Sequence, residues 1–238
     1  MKRRLDDILI ARGWADSKDQ AQALVMSGRV SGKGRILDKA GLELSDDVEL
    51  HVRVMSPYVS RAGEKLASVS DVFKLSFTDK VVLDVGSSTG GFTDFALQQG
   101  ARKVYAVDVG RGQLAYRLRQ DTRVVSMEKT DIREAVLPRV ADMAVIDVSF
   151  ISLKNVLEAT AKLLSPHAII VAMAKPQFEA SKAVADQWKG VIPMGLQRDA
   201  ILADLRDWIG QRFEILDEAD SGLSGAEGNV EHFFLLKS

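Results

Sequence analysis

Charged side chains in this sequence stand where apolar runs stop. Asp84 sits near the end of Val81-Val82-Leu83-Asp84-Val85, and Asp108 closes Lys103 to Val107. Asp147 follows Met143-Ala144-Val145-Ile146, Lys175 comes straight after Ala168 to Ala174, and Glu231 opens the apolar segment His232 to Leu236. A buried strand that ends in a charge delivers it to the carboxyl end of an α/β sheet, where ligands of such sheets gather. A lysine leaving a dry strand can hold or move a proton, and a carboxylate beside it can fix its position. A structural salt bridge is the plainer reading of Asp147 with Lys175, and for Glu231 the local context leaves an edge charge and a site acid equally open.

The stretch after Asp84 adds a ligand cradle. Gly86-Ser87-Ser88-Thr89-Gly90-Gly91 is a tight glycine-rich turn, and Phe92 to Gln99 reads as the helix that follows it. Strand, turn and helix in that order open a nucleotide-binding unit, with backbone N–H groups left unpaired at the helix start. The spacing is G-x-x-x-G-G, not the G-x-G-x-x-G of dinucleotide sites. Asp84 would repel a pyrophosphate and suits an amine or a sulfonium. Asp108 lies about twenty residues beyond Gly86, the interval at which an acid takes ribose hydroxyls. Together these features point to S-adenosylmethionine, against an empty Rossmann-type turn or another nucleotide.

The elements that must hold these residues alternate from Lys80 onward. Strands are expected at 80–85, 103–107, 122–126, 142–148 and 167–173, with helices between them, the clearest at Leu153 to Leu164. A last helix from Gly195 to Ile209 and two strands near Phe213–Asp217 and Val230–Leu236 close a doubly wound α/β domain. The glycine-rich segment Gly222 to Glu231 reads as the loop between those two strands. Ahead of the sheet, Ser60 starts a helix that turns Leu66 and Val69 inward and keeps Arg61 and Lys65 on one face. Residues 1–55 read as a separate small α+β unit. Leu5, Ile8 and Leu9 share a helical face, and Ser17-Lys18-Asp19-Gln20 matches a capping box. Strand material is expected at Arg29 to Leu37 and at Val48 to Val54. Arg53-Val54-Met55-Ser56-Pro57 reads as the linker.

Composition narrows the function classes. The 238 residues carry a formal net charge of −1, so any nucleic-acid surface must be a local patch. There is no cysteine, which removes disulfides, thiolate metal sites and cysteine nucleophiles, and three scattered histidines make no metal spacing. No metal is therefore expected. No apolar run reaches the roughly 18 residues that span a bilayer. Asp6 and Asp7 follow the basic start at once, so no signal-peptide core is expected and a cytoplasmic location fits.

Residues 1–55 resemble the S4 RNA-binding domain through Arg4-Leu5-Asp6 with Leu9, Gly13, Ser17-Lys18, Ala21, Leu24, Gly28 and Val30. The resemblance implies phosphate contacts from Arg3, Arg4, Lys18, Arg29, Lys33 and Arg35. Charge alone, ten Lys or Arg against nine Asp or Glu in this stretch, would favour a merely solvated surface. Lys65, Asp147, Lys175 and Glu231 are similar in order and context to the Lys-Asp-Lys-Glu tetrad of FtsJ-like RNA ribose 2′-O-methyltransferases. With Tyr58-Val-Ser-Arg-Ala-Gly-Glu-Lys-Leu, Asp147-Val-Ser-Phe-Ile-Ser-Leu and Lys175-Pro-Gln-Phe-Glu, nearly the whole chain resembles the TlyA family of rRNA cytidine 2′-O-methyltransferases, also labelled hemolysins.

That resemblance implies a Rossmann-like class I methyltransferase sheet over residues 56–238 behind a small S4 domain, with ribosomal RNA or ribosomal subunits as partner and no membrane. S-adenosylmethionine would lie on Asp84, Gly86, Ser87, Ser88, Thr89, Gly90, Gly91 and Phe92, with Asp147 alongside. Asp108 with Val109 would take its ribose, and Asp131 with Ile132 its adenine. Asp131 stands where the family commonly has Asn. Lys175 would meet the ribose hydroxyl, Lys65 would be its electrostatic partner, and Asp147 and Glu231 would orient them. Whether an ammonium stabilises the oxygen or a neutral lysine takes its proton is left open. Arg61 would face RNA, and Phe150 would either stack on a splayed-out nucleotide or pack in the core. A non-catalytic RNA-binding module leaves the strand-end acids without a role, and direct membrane lysis lacks a spanning or amphipathic segment.

Overall fold

The computed structural model describes residues 2–53, 56–225 and 228–238. It divides into two compact units, Met1–Met55 and Ser56–Ser238. Val54 and Met55 of the expected linker, the end of the strand expected at Val48 to Val54, and Ala226 and Glu227 of the Gly222–Glu231 loop lie outside the described residues.

In the first unit, β1 (Lys2–Arg4) leads into α1 (Leu5–Ala11), and α2 (Lys18–Met26) follows. β2 (Val30–Gly32) and β3 (Arg35–Ile36) form a hairpin whose turn holds Lys33 at φ +50°. β4 (Glu43–Ser45) pairs antiparallel with β1, and β5 (Leu50–Val52) with β2. The β1–β4 pair was not expected, because Lys2-Arg3-Arg4 has no apolar alternation to mark it as strand. The capping box forms: Ser17 Oγ accepts from Gln20 N at 3.3 Å, and Gln20 Oε1 accepts from Asp16 N at 2.7 Å. Leu5, Ile8, Leu9, Ala21, Val25, Val30 and Leu50 close a small core of this unit's own.

The second unit begins with α3 (Arg61–Ser70), β6 (Val81–Val85), α4 (Gly91–Gln98), β7 (Lys103–Asp108), α5 (Tyr116–Arg119), β8 (Val124–Glu128) and β9 (Ala141–Ile146). It continues through α6 (Leu157–Ala161), β10 (Leu164–Ala174), α7 (Pro176–Glu179), α8 (Lys182–Gln187), α9 (Leu196–Gly210), β11 (Glu214–Asp220) and β12 (His232–Lys237). The sheet order is β11-β12-β10-β9-β6-β7-β8. β8, β7, β6, β9 and β10 run parallel, while β12 is antiparallel to both its neighbours. Alternation along the strands sorts side chains onto two faces. Leu83, Val85, Ile146 and Ala172 pack with Leu157, Leu202 and Leu205 on one side, and Val82, Val145, Val171 and Phe233 pack with Leu66, Phe92 and Phe95 on the other.

A second departure from expectation follows β9. The long helix at Leu153 to Leu164 is a 3-10 turn, Leu153–Asn155, and the short α6. Val156, at φ −119° and ψ −25°, stands between the two. Leu164 is taken by the sheet instead, opposite Ala141, ahead of a bulge where His167 sits at φ +62°. Among the described residues, no helix is long and apolar enough to cross a membrane.

Candidate active site

Strand register brings the site residues to one end of the sheet. Ile146 is opposite both Val85 and Ala172, and Ala174 is opposite His232. The next residues along these strands, Gly86, Asp147, Lys175 and Glu231, therefore leave the sheet side by side. The turn after β6 is shaped by glycine at two points. Gly86 takes φ +80°, and a Cβ there would lie 2.5 Å from the Asp147 carbonyl oxygen. Gly90 takes φ +95° as the N-cap of α4, and a Cβ would run into Leu118. These glycines let the turn fold tightly onto its own protein neighbours. Asp108 braces it: Oδ2 accepts from Ser88 N at 2.8 Å and Oδ1 from Gly110 N at 2.6 Å.

Asp84 lies under the turn, fully buried, on the sheet face covered by α3 and α4. Its Oδ2 accepts from Thr93 Oγ1 at 2.6 Å, while Oδ1 is buried with no partner. Burial pushes the carboxyl up to about 7; the Thr93 hydrogen bond opposes that, and Asp147 and Asp108 reinforce it. A cavity of about 410 Å³ opens beside it, walled by Asp84, Gly86, Ser87, Ser88, Thr89, Phe92 and Asp147, with Arg61 at the rim. A second cavity of about 320 Å³ is walled by Asp108, Val109, Asp131, Ile132 and again Gly86 and Asp147. An orphaned buried carboxylate oxygen next to an open space is an acceptor suited to a cationic ligand group. The Asp131 carboxylate is largely committed: Arg133 donates to Oδ1 through N and Nε, each at 2.9 Å, and to Oδ2 through its terminal nitrogen. That fork holds Asp131 down at about 2.

The two lysines and two acids form two ion pairs. Lys65, nearly buried on α3, places Nζ 2.6 Å from Glu231 Oε1. Glu231 Oε2 is buried without a partner. Lys175 places Nζ 2.6 Å from Asp147 Oδ1 and donates to Ser149 Oγ at 2.7 Å. The Asp147 contact is a charge contact lacking hydrogen-bond alignment, since Oδ1 has no hydrogen-bond partner. Lys65 was expected to be the electrostatic partner of Lys175; its close partner is Glu231.

Lys175 and Glu231 share the wall of a larger cavity, about 770 Å³, with Ser149, Phe150, Gln177 and Phe178. Phe150 is not a core residue. It is 90 % exposed, at φ +65°, with its ring centroid 5.0 Å from that of Phe178. An aromatic residue held exposed in the left-handed region marks a place where something other than packing is gained. Glu179 fixes the segment: half-buried, and pushed up by that partial burial, it accepts from Leu153 N at 2.8 Å and from Ser152 Oγ. On the far wall, buried Asn229 accepts from Ile192 N at 2.9 Å and donates to Gly190 O at 2.8 Å. Sequence reasoning missed Gln177, Glu179 and Asn229. The polar residues packed into Lys175-Pro-Gln-Phe-Glu179 were the available signal for the first two, but Asn229 had none.

The RNA candidates of the first unit differ in availability. Lys33 and Arg35 are exposed on the β2–β3 hairpin, and Arg29 is half-buried. Arg3 lies 3.4 Å from Asp46, and Lys18 lies 3.7 Å from Asp7. Arg4 donates through Nε and one terminal nitrogen to buried Asp6, at 3.0 and 2.8 Å, because that carboxylate needs a charged partner, while its side chain stays 45 % exposed. Arg61 of the second unit donates to Ser224 O at 2.6 Å.

The FtsJ-like methyltransferase profile matches residues 58–238. The 16S/23S rRNA (cytidine-2′-O)-methyltransferase TlyA of Mycobacterium tuberculosis is 39 % identical across 100 % of this chain and 90 % of its own length. A solved structure from Streptococcus thermophilus, provisionally termed a hemolysin, superposes with TM-score 0.74 at 38 % identity, covering 100 % of this chain and 88 % of the other. An S-adenosylmethionine dependent methyltransferase from Mesorhizobium loti shares the fold, with TM-score 0.54 at 15 % identity over 75 % of this chain and all of its own. The seven-stranded sheet is thus of the class I methyltransferase type, and the chain belongs to the FtsJ-like methyltransferase family.

Proposed function

We propose that this methyltransferase methylates the ribose 2′-hydroxyl of a cytidine in ribosomal RNA, using S-adenosylmethionine, with residues 1–55 acting as an S4-type RNA-docking domain. The observation that carries the reading is Asp147: it borders both cavities beside the glycine turn and also contacts Lys175, which faces the large aromatic-walled cavity. A cofactor side and a substrate side thus meet at one residue. The name of the M. tuberculosis relative supports the nucleotide and the RNA.

The walls fit the cofactor. Asp84 Oδ1, buried and unpaired, would take its ammonium or sulfonium end, and Asp108 would meet its ribose. When bound, S-adenosylmethionine supplies an electrophilic methyl group. The chain supplies the rest. Lys175, held by Asp147 and Ser149, would meet the ribose hydroxyl and stabilise the negative charge that grows on its oxygen. Asp147 fixes that ammonium in line with the cofactor side, where positioning carries much of the rate. The Lys65–Glu231 pair would set the opposite wall. This reading fits a cytoplasmic protein acting on ribosomal subunits. No observation favours membrane lysis.

The test is transfer of tritiated methyl groups to ribosomal subunits that lack the modification, followed by mapping of the label. Label on one cytidine ribose is expected, and Lys175→Ala should lower turnover by roughly a hundredfold or more while still binding the cofactor. Label on a base, or near-normal turnover by Lys175→Ala, would overturn the assignment.

A further inference from the structure

The large cavity beside Lys175 contains a polar group that the reaction does not use. Gln177 lies two residues past Lys175, on α7, and lines the same wall. Its Oε1 is closed off from solvent and accepts no hydrogen bond among the described residues. Native proteins keep few buried acceptors without a donor, because nothing offsets the lost contact with water. The neighbouring wall is aromatic, with exposed Phe150 against Phe178. A planar ring, a reactive lysine and a glutamine amide lining one cavity of about 770 Å³ describe a nucleoside pocket.

We infer that Gln177 reads the target base, its amide turning Oε1 out of its closed position to accept from the exocyclic amine of cytosine. The inference rests on the reading of Lys175 as the group at the ribose hydroxyl, since a nucleoside placed there brings its base into the cavity that Gln177 lines. Cytosine carries an amine donor where uracil carries a carbonyl acceptor. Uracil would face Oε1 acceptor to acceptor, leaving both groups unpaired in a closed site. Sites built around a hydrogen bond to the substrate reject analogues that cannot make it, because the site's own polar group is then stranded. Gln177 is in this sense a specificity residue, distinct from the two ion pairs.

The experiment compares wild type, Gln177→Leu and Gln177→Glu on ribosomal subunits carrying cytidine or uridine at the mapped position, reading kcat/KM for each. Wild type should favour cytidine. Gln177→Leu should lose roughly ten- to a hundredfold on cytidine and little on uridine, so that the preference collapses. Gln177→Glu keeps an acceptor and should keep the preference. Equilibrium binding of S-adenosylmethionine reports folding of all three, since Gln177 lines neither cavity beside the glycine turn. A Leu variant with the wild-type preference, or a wild type without one, overturns the inference. A wild type that methylates neither substrate overturns the ribose-methylation reading beneath it.

Discussion

Asp84 ties protonation to ligand binding. Burial raises its carboxyl to about 7, so the cofactor-free protein holds it partly protonated near neutrality. A cationic ligand favours the carboxylate, and binding must then expel the proton. Affinity for S-adenosylmethionine should therefore rise with pH through about 7, by at most about tenfold per unit below it, and level off above. Stability runs the other way. A folded pKa raised above the ordinary carboxylate value contributes stability that is complete at acid pH and is lost as pH climbs through about 7. The cofactor-free protein should melt progressively earlier between roughly pH 4 and 7 and level off above, with the trend weaker in Asp84→Asn. Titration calorimetry in two buffers of different ionisation heat would measure the released proton. An affinity that stays flat across neutrality would show that Asp84 does not face the bound cation.

The Lys65–Glu231 pair joins α3 to the residues that lead into β12, and it does so almost out of water. Removing one partner of such a pair strands the other charge, at a cost of about 3–5 kcal/mol, whereas apolar replacement of both is often near neutral. Lys65→Met and Glu231→Leu should each lower the melting temperature sharply, and the double variant should recover most of it without recovering methyl transfer. Additive losses in the double variant would mean that the pair is not coupled. The strands that carry these side chains were legible in the sequence because buried parallel strands read as unbroken apolar runs, and their terminal charges stand out against them. The α6 region was not. Its apolar spacing suits a helix, and only pairing of Leu164 with Ala141, a contact distant in sequence, decides against one. The pairing within the tetrad was equally hidden, since spacing puts all four groups at one sheet end without saying which acid each lysine touches.

The first unit has a hydrophobic core of its own, apart from the two on either face of the second unit's sheet, and among the described residues none that lines the cavities beside the glycine turn comes from residues 1–55. Cofactor binding and RNA affinity should therefore be separable within one intact chain. Binding to ribosomal RNA releases counterions in proportion to phosphates neutralised, which makes its salt dependence a count of contacts. Lys33 and Arg35, exposed on the β2–β3 hairpin and without an ion pair among the described residues, are the side chains best placed to contribute. Replacing both with Ala should lower the slope of log affinity against log salt by roughly 1.4–1.8 and leave S-adenosylmethionine affinity unchanged. Arg4→Ala should do the reverse, because its fork answers buried Asp6: the slope should hold while the first unit loses stability. A slope untouched by the Lys33 and Arg35 changes would move the RNA surface off this hairpin, while a slope that fell with Arg4→Ala alone would place Arg4 among the phosphate contacts despite its pairing with Asp6.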